Sequence, residues 1–363
     1  MASPSKVLRF SFLPALLVLA LVSTAGAETI AGSQSQAQSS ESLTDLLARK
    51  ATAAELFAHP EWIAAEKLAD ARAEVETAHT YATPEAKAKR PFVFDGEEIV
   101  GYDAAMPHLV GMAKAFAPDG QVAAGKHAVL VIGAPGSGKS TLALKIAVRE
   151  RAGIVDADLV KEALLEYDDG EGTQEVHRES AEIAHLVANE FIRRGENFIW
   201  PRTGSTASSI RRIAETAKGH GYSVDLINVD VSEDETARRV VKRFLETGRM
   251  VQARVLKDSR TRAHNTYEEL KREGLADRYA ELDSTVAWPW PILQDGEAVS
   301  GLLGGEAAAA RRSDPQRAAA EASQVEAEIH FELGDLLRRV KSGAGPELRH
   351  SGASGNPARA APN

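Results

Sequence analysis

A phosphate loop set between a strand and a helix constrains this chain more than any other feature. Gly133-Ala134-Pro135-Gly136-Ser137-Gly138-Lys139-Ser140-Thr141 satisfies the pattern G-x-x-x-x-G-K-[ST] in full. The run before it, Ala128-Val129-Leu130-Val131-Ile132, reads as a buried strand. Leu142, Leu144, Ile146 and Val148 after it fall on an Ala-rich helical frame. A strand buried on both faces needs helices on both. The motif therefore predicts an α/β fold of the P-loop NTPase type, a three-layer sandwich with a mostly parallel sheet. The glycines let the backbone turn tightly and aim N–H groups at an anion, and the helix N-terminus adds its positive end. All nine residues are candidate nucleotide ligands, with Lys139 on the phosphates and the Ser140 hydroxyl on Mg2+. ATP or GTP is the expected ligand.

Composition narrows the class mainly by exclusion. The 363 residues include no cysteine, which removes disulfides, thiolate metal sites and a Cys nucleophile. A formal net charge of −9 argues against a general nucleic-acid binder. The histidines show no H-E-x-x-H spacing, so no transition-metal site is expected.

The first residues carry the three parts of an export signal. Lys6 and Arg9 are basic, an apolar stretch covers 10–22, and Ala25-Gly26-Ala27 offers a cleavage site. Residues 1–27 are thus expected to be a cleaved signal peptide and the mature protein to be exported, with no membrane span left after cleavage. A mis-assigned start would make the protein cytoplasmic. The next methionine, Met106, lies far inside the chain.

Composition and periodicity divide the remainder. Residues 28–41, rich in Ser, Gln, Ala and Gly, read as a flexible linker. Residues 42–120 are mainly helical, interrupted by two short strands around Asp95-Gly96. Strands alternate with helices over 121–290, the expected nucleotide domain. Residues 291–342 read as a helical C-terminal segment, with Val325, Ile329, Leu333, Leu336 and Val340 on one face, and 343–363 as a disordered tail.

Two further clusters bear on chemistry. Asp156 and Asp158 lie just past a short strand, where ligands bind in such folds. One can help organise Mg2+ while the other accepts a hydroxyl proton, and spacing alone leaves open which does which. Asp158 could also cap the helix that follows. Arg238, Arg239, Lys242, Arg243, Arg249, Arg254, Lys257, Arg260 and Arg262 form an Arg-rich segment. Guanidinium forks suit the charge that spreads over a transferring phosphoryl group. The interleaved acids favour surface pairing for most of them.

The order Gly-x-Pro-Gly-Ser-Gly-Lys-Ser, then Ile154-Val155-Asp156-Ala157-Asp158, then Gly221-Tyr222, then Arg243 and Met250-Val251-Gln252-Ala253-Arg254 resembles the zeta toxin family over about 121–265. That resemblance implies a kinase that uses ATP and Mg2+ to phosphorylate the 3′-hydroxyl of UDP-N-acetylglucosamine or a related sugar nucleotide. It implies that Lys139 binds phosphate, that Ser140 binds Mg2+ and that Asp158 is the base, which leaves Asp156 of the carboxylate pair as the second candidate Mg2+ ligand. Arg243 and Arg254 would contact the transferring phosphate. Asp156, Arg202 and Thr203 become candidate acceptor ligands. It also implies an antitoxin partner, or an N-terminal helical segment acting as a self-inhibitor; packing on the sheet edge is the plainer reading of that segment. The run Trp200-Pro201-Arg202-Thr203-Gly204-Ser205 departs from the family, with Pro201 where a carboxylate is usual. A metabolic kinase of the shikimate or gluconate kinase type, or a non-catalytic nucleotide-binding protein, fits the same loop.

Overall fold

The computed structural model describes residues 41–288 and 290–303. Its N-terminal part carries α1 (Leu43–Ala48), α2 (Ala53–Phe57), α3 (Pro60–Ala73) and α4 (Pro84–Lys87), then β1 (Pro91–Phe94), β2 (Glu97–Val100) and α5 (Tyr102–Lys114). Next come β3 (His127–Ile132), α6 (Lys139–Glu150), β4 (Gly153–Ile154), α7 (Ala157–Glu162) and α8 (His177–Arg194). β5 (Phe198–Arg202), α9 (Ala207–Gly219), β6 (Ser223–Asp230) and α10 (Glu233–Thr247) follow. α11 (Ala253–Leu256), α12 (Ser259–Arg272), β7 (Arg278–Asp283), β8 (Ile292–Asp295) and α13 (Glu297–Leu303) end the described chain.

The fold is an α/β sandwich on a six-stranded sheet of order β4-β5-β3-β6-β7-β8. Every pairing is parallel except β7 with β8. β3 lies inside the sheet, with Leu130 opposite Trp200 on one side and Leu226 on the other. Its alternate residues feed two separate cores. Ala128, Leu130 and Ile132 pack with α5, α8, α9 and α12, while Val129 and Val131 pack with α6 and α13. Both faces are covered, as a parallel sheet requires.

The edge strand β4 is only two residues long, and that brevity explains Pro201. Val155 N–H donates to the Ile199 carbonyl at 2.9 Å, so alternate residues of β5 face β4. Pro201 faces the same way, but by then the neighbouring chain has turned into α7, and no ladder bond is lost. Gly153 is equally constrained, since a Cβ there would come within 2.4 Å of the Phe191 ring. α5 covers this edge through Leu109, Val110 and Ala113.

The C-terminal boundary differs from the sequence expectation. β8 joins the sheet, and Ala298, Val299 and Leu302 of α13 sit in the same core as Leu142 and Ile146. The sheet domain therefore extends past 290 to 303. Residues 1–40, with the expected signal peptide and most of the linker, lie outside the described residues. So do the expected helix around Val325–Val340 and the tail from 343. Among the described residues no helix is long and apolar enough to cross a membrane.

α1–α3 form a third core, away from the sheet. Capping boxes at Ser42 and Thr52 start the first two helices, and Pro60 stands in the first turn of the third. Leu43, Leu56 and Trp62 then pack on Ala237, Val240 and Val241 of α10. Trp62 is fully buried, edge-on to Phe244 at 5.6 Å.

A buried ionic cluster joins the hairpin of β1 and β2 to α8. Asp95 and Gly96 supply the two left-handed residues, φ 50° and 83°, that its two-residue turn demands. Arg90, fully buried before β1, bonds Glu179 at 3.0 Å and forks onto Glu166 at 2.7 and 2.8 Å. Tyr102 Oη and Thr77 Oγ1 also donate to Glu179, at 2.8 and 2.6 Å. Arg90→Met would strand a buried carboxylate, and should cost about 3–5 kcal/mol in urea denaturation. A loss near zero would contradict this account of the cluster.

Candidate functional site

The loop between β3 and α6 is held by close approach and by two side chains from elsewhere. Gly133 has φ 154°, and a Cβ there would meet the Val229 carbonyl oxygen at 2.4 Å and Ser137 Oγ at 2.7 Å. Gly136 and Gly138, at φ 77° and 85°, supply the turns. Ser284, just past β7, donates its hydroxyl to the Ser137 carbonyl at 2.7 Å. Arg239 on α10 donates to the Gly136 carbonyl at 3.2 Å and the Ser284 carbonyl at 2.6 Å. Ala134, Pro135 and Ser137 complete the curve, with Ser140 and Thr141 exposed at the start of α6.

Lys139 folds back over this loop. Its ammonium donates to the Gly133 and Ala134 carbonyls at 2.9 and 2.6 Å. Burial lowers its pKa to about 8, only partly offset by the Asp156 carboxylate.

The two carboxylates have different partners. Asp156 caps α7, accepting the Asp158 backbone N–H at 3.0 Å. The helix cap is thus Asp156 rather than Asp158, which lies in the first turn. Burial, then the Asp158 charge, raises the Asp156 pKa to about 6. Asp158 bonds Lys161 Nζ at 3.0 Å and pairs with Arg249. Burial opposes its ionisation, but Lys161 and Arg249 hold its carboxyl well below the usual carboxylate range. Lys161, nearly fully buried, also lies 3.4 Å from His177 Nδ1.

Arg243 belongs to this group. Burial and the neighbouring Arg249 lower its pKa to about 10, with both carboxylates acting against the fall. Its Nε is buried without a hydrogen-bond partner among the described residues. Lys139, Asp156, Asp158, Arg243 and Arg249 therefore form one electrostatic cluster.

Arg254 is placed elsewhere. It is exposed and bonds Asp70 on α3 at 2.7 Å. Gln252 bonds the same carboxylate, and Glu66 accepts the Ala253 N–H, each at 2.6 Å. Acids of α3 thus hold Arg254 away from the two carboxylates, and Arg249 is the arginine that pairs with Asp158. Arg202, at the end of β5, lies over the Trp200 ring at 5.0 Å and donates to Ser209 Oγ at 3.1 Å. Asp156 acts on its charge. Thr203 is exposed, bonded to Ser205 Oγ at 3.2 Å.

The donor set is compatible with Mg2+ delivered on a nucleotide. Among the described residues no group of three or more His, Asp or Glu could hold a metal alone. Mg2+ bound to phosphates and water needs only one or two protein oxygens, and the Ser140 hydroxyl and an Asp156 carboxylate supply that chemistry.

Fold and loop together define a P-loop nucleotide-binding domain. A family model described as an AAA domain matches residues 129–266, which contain the loop, both carboxylates, Arg243 and Arg249. No curated protein sequence matches the chain. Among solved structures, the PezAT toxin–antitoxin system of Streptococcus pneumoniae is similar at 14% identity and TM-score 0.44, covering 64% of this chain and 96% of that one. The AvrRxo1-ORF1:-ORF2 complex with ATP is similar at 16% identity and TM-score 0.38, covering 62% and 82%. A putative kinase from Chloroflexus aurantiacus is similar at 18% identity and TM-score 0.30, covering 38% and 80%.

The Lys139 ammonium sets a pH limit on nucleotide binding. Its depressed pKa means that it loses its proton as pH rises through about 8, and with it the attraction for phosphate. ATP affinity should be level below pH 7.5 and about tenfold weaker at pH 9, read by fluorescent-nucleotide titration. Equal affinity at pH 7 and 9 would refute the shift.

Proposed function

We propose that this protein is a phosphotransferase that moves the γ-phosphoryl group of ATP or GTP onto a hydroxyl of a sugar nucleotide, UDP-N-acetylglucosamine or a relative. The observation that carries the reading is the cluster of Asp158, Arg243 and Arg249 around Lys139 of the phosphate loop. The loop N–H groups and Lys139 would hold the donor phosphates, and Arg243 and Arg249 would face the charge that spreads over the transferring group. Mg2+ on Ser140 and Asp156 would neutralise donor phosphate charge.

Asp158 is the base in this scheme. Asp156 commits an oxygen to its helix cap, whereas both Asp158 contacts are to cations. A strongly ionised carboxylate suits phosphoryl transfer, where the hydroxyl proton leaves late and the base chiefly orients the nucleophile. The motif order shared with the zeta toxin family supports the sugar-nucleotide acceptor. On this reading the natural protein partner is an antitoxin. The α1–α3 segment, proposed alternatively as a self-inhibitor, makes its contacts with α10 and residues 250–254. The basic, apolar and small-residue order of residues 1–27 adds export, testable by sequencing the N-terminus of protein from its host.

Asp158→Asn should lower product formation from ATP and UDP-N-acetylglucosamine by about 10²–10⁴ while ATP still binds, followed by mass spectrometry of the sugar nucleotide. Turnover at the parent rate would remove the base assignment. A wild-type protein that phosphorylates no hydroxyl acceptor would remove the whole reading.

A further inference from the structure

Arg249 stands on a stretch with no regular structure of its own. α10 ends at Thr247 and α11 begins at Ala253, and the residues between belong to neither. The Arg249 backbone N–H donates to the Thr247 hydroxyl at a long 3.4 Å. Its side chain is nonetheless mostly buried and paired with Asp158. A long side chain on irregular backbone has much freedom to lose, so contacts from outside the stretch must fix it.

The loop between α7 and α8 supplies such contacts. Asp168, Asp169 and Gly170 are three successive left-handed residues, with φ 45°, 52° and 109°. Two of them are not glycine, and such residues persist only where their surroundings over-determine them. The Glu171 and Gly172 N–H groups donate to the Asp168 and Tyr167 carbonyls at 3.1 and 3.0 Å. Arg72 of α3 pairs with Glu171 at 2.8 Å and with Asp168 at 3.7 Å. The buried Arg90 fork on Glu166 fixes the start of the loop.

The tip of this turn lies against the backbone that carries the arginine. Gly170 is buried, and a Cβ there would stand 3.0 Å from the Thr247 carbonyl oxygen, 3.6 Å from the Arg249 nitrogen and 3.7 Å from Arg249 Cβ. Four residues on, Gln174 donates to the Met250 carbonyl at 3.4 Å. One loop thus meets the chain on both sides of Arg249. α3 anchors both walls of this seat, the loop through Arg72 and residues 252–254 through Glu66 and Asp70.

We propose that Gly170 is a positioning residue for phosphoryl transfer: its left-handed turn, anchored by Arg72, sets where Arg249 stands. A partner that orients a charged group without touching the substrate governs how well that group meets developing charge. The inference rests on the phosphotransferase reading, in which Arg249 faces the transferring group.

The test uses the full chain with Mg2+ and ADP, with and without aluminium fluoride, whose complex stands in for the transferring phosphoryl group. Affinities are read by calorimetry. Arg249→Gln and Gly170→Ala should each weaken the ADP–aluminium fluoride complex by about tenfold or more, and leave ADP alone within about twofold. The double variant should lose no more than Arg249→Gln, because the glycine acts through the arginine. A merely structural role for Gly170 would add its loss to that of Arg249. If Gly170→Ala does not fold, Arg72→Gln takes its place, with an expected loss of about threefold, the scale of a partly exposed ion pair, and none on top of Arg249→Gln. Unchanged affinity in the variant that folds, or additive losses, would overturn the proposal while Arg249→Gln is impaired. Failure of the underlying reading looks different: Arg249→Gln itself then binds the complex as tightly as the parent, and the proposal falls with it.

Discussion

The approach of Gly133 to the Val229 carbonyl is the constraint on which the site depends. At 2.4 Å no side-chain carbon fits, so the loop must leave β3 directly against the end of β6. That contact requires β6 beside β3, and the parallel register places the open ends of β3, β5 and β6 on one side. Ser284 and Arg239 then brace the loop from the far side, one from the end of β7 and one from α10. Rigid backbone, rather than side-chain chemistry, is the first component of an anion cradle. The sheet order supplies it.

Charge sets the second layer. Asp158 stays ionised inside the protein because Lys161 and Arg249 offset its desolvation, while Asp156, with a helix cap and a charged neighbour, is pushed the other way. The Arg90 cluster applies the same rule at a distance, burying a full guanidinium with two glutamates and a tyrosine. Such clusters are sensitive to removal of one member, because the remaining charge has no water to turn to. One cluster holds α8 in place, and the other uses that helix through His177.

Local patterns made much of this legible. The phosphate loop reads directly from Gly133 to Thr141, since strand, turn and helix are adjacent in the chain. Alternating strands and helices reveal the sandwich for the same reason. What was hidden depends on partners far apart in sequence. Arg249 and Arg254 lie on one basic stretch and look equivalent there. They separate because Asp70, 184 positions from Arg254, takes one of them. Arg239 reads as a surface residue from its Glu235 neighbour, and only the fold brings Gly136 and Ser284 to it. β8 and α13 are too short for periodicity to show that they belong to the sheet domain. The helical N-terminal segment is visible as helices, but its seat on α10 is not.

Met250 is buried among α1–α3 and α10, one residue from the arginine that grips Asp158. Gly248, with φ 71°, ends α10 just before that arginine, so the chain from α10 to Met250 is short and sharply turned. The arginine of the cradle and the packing of the outer helices thus hang on one short tether, the stretch from Gly248 to Met250.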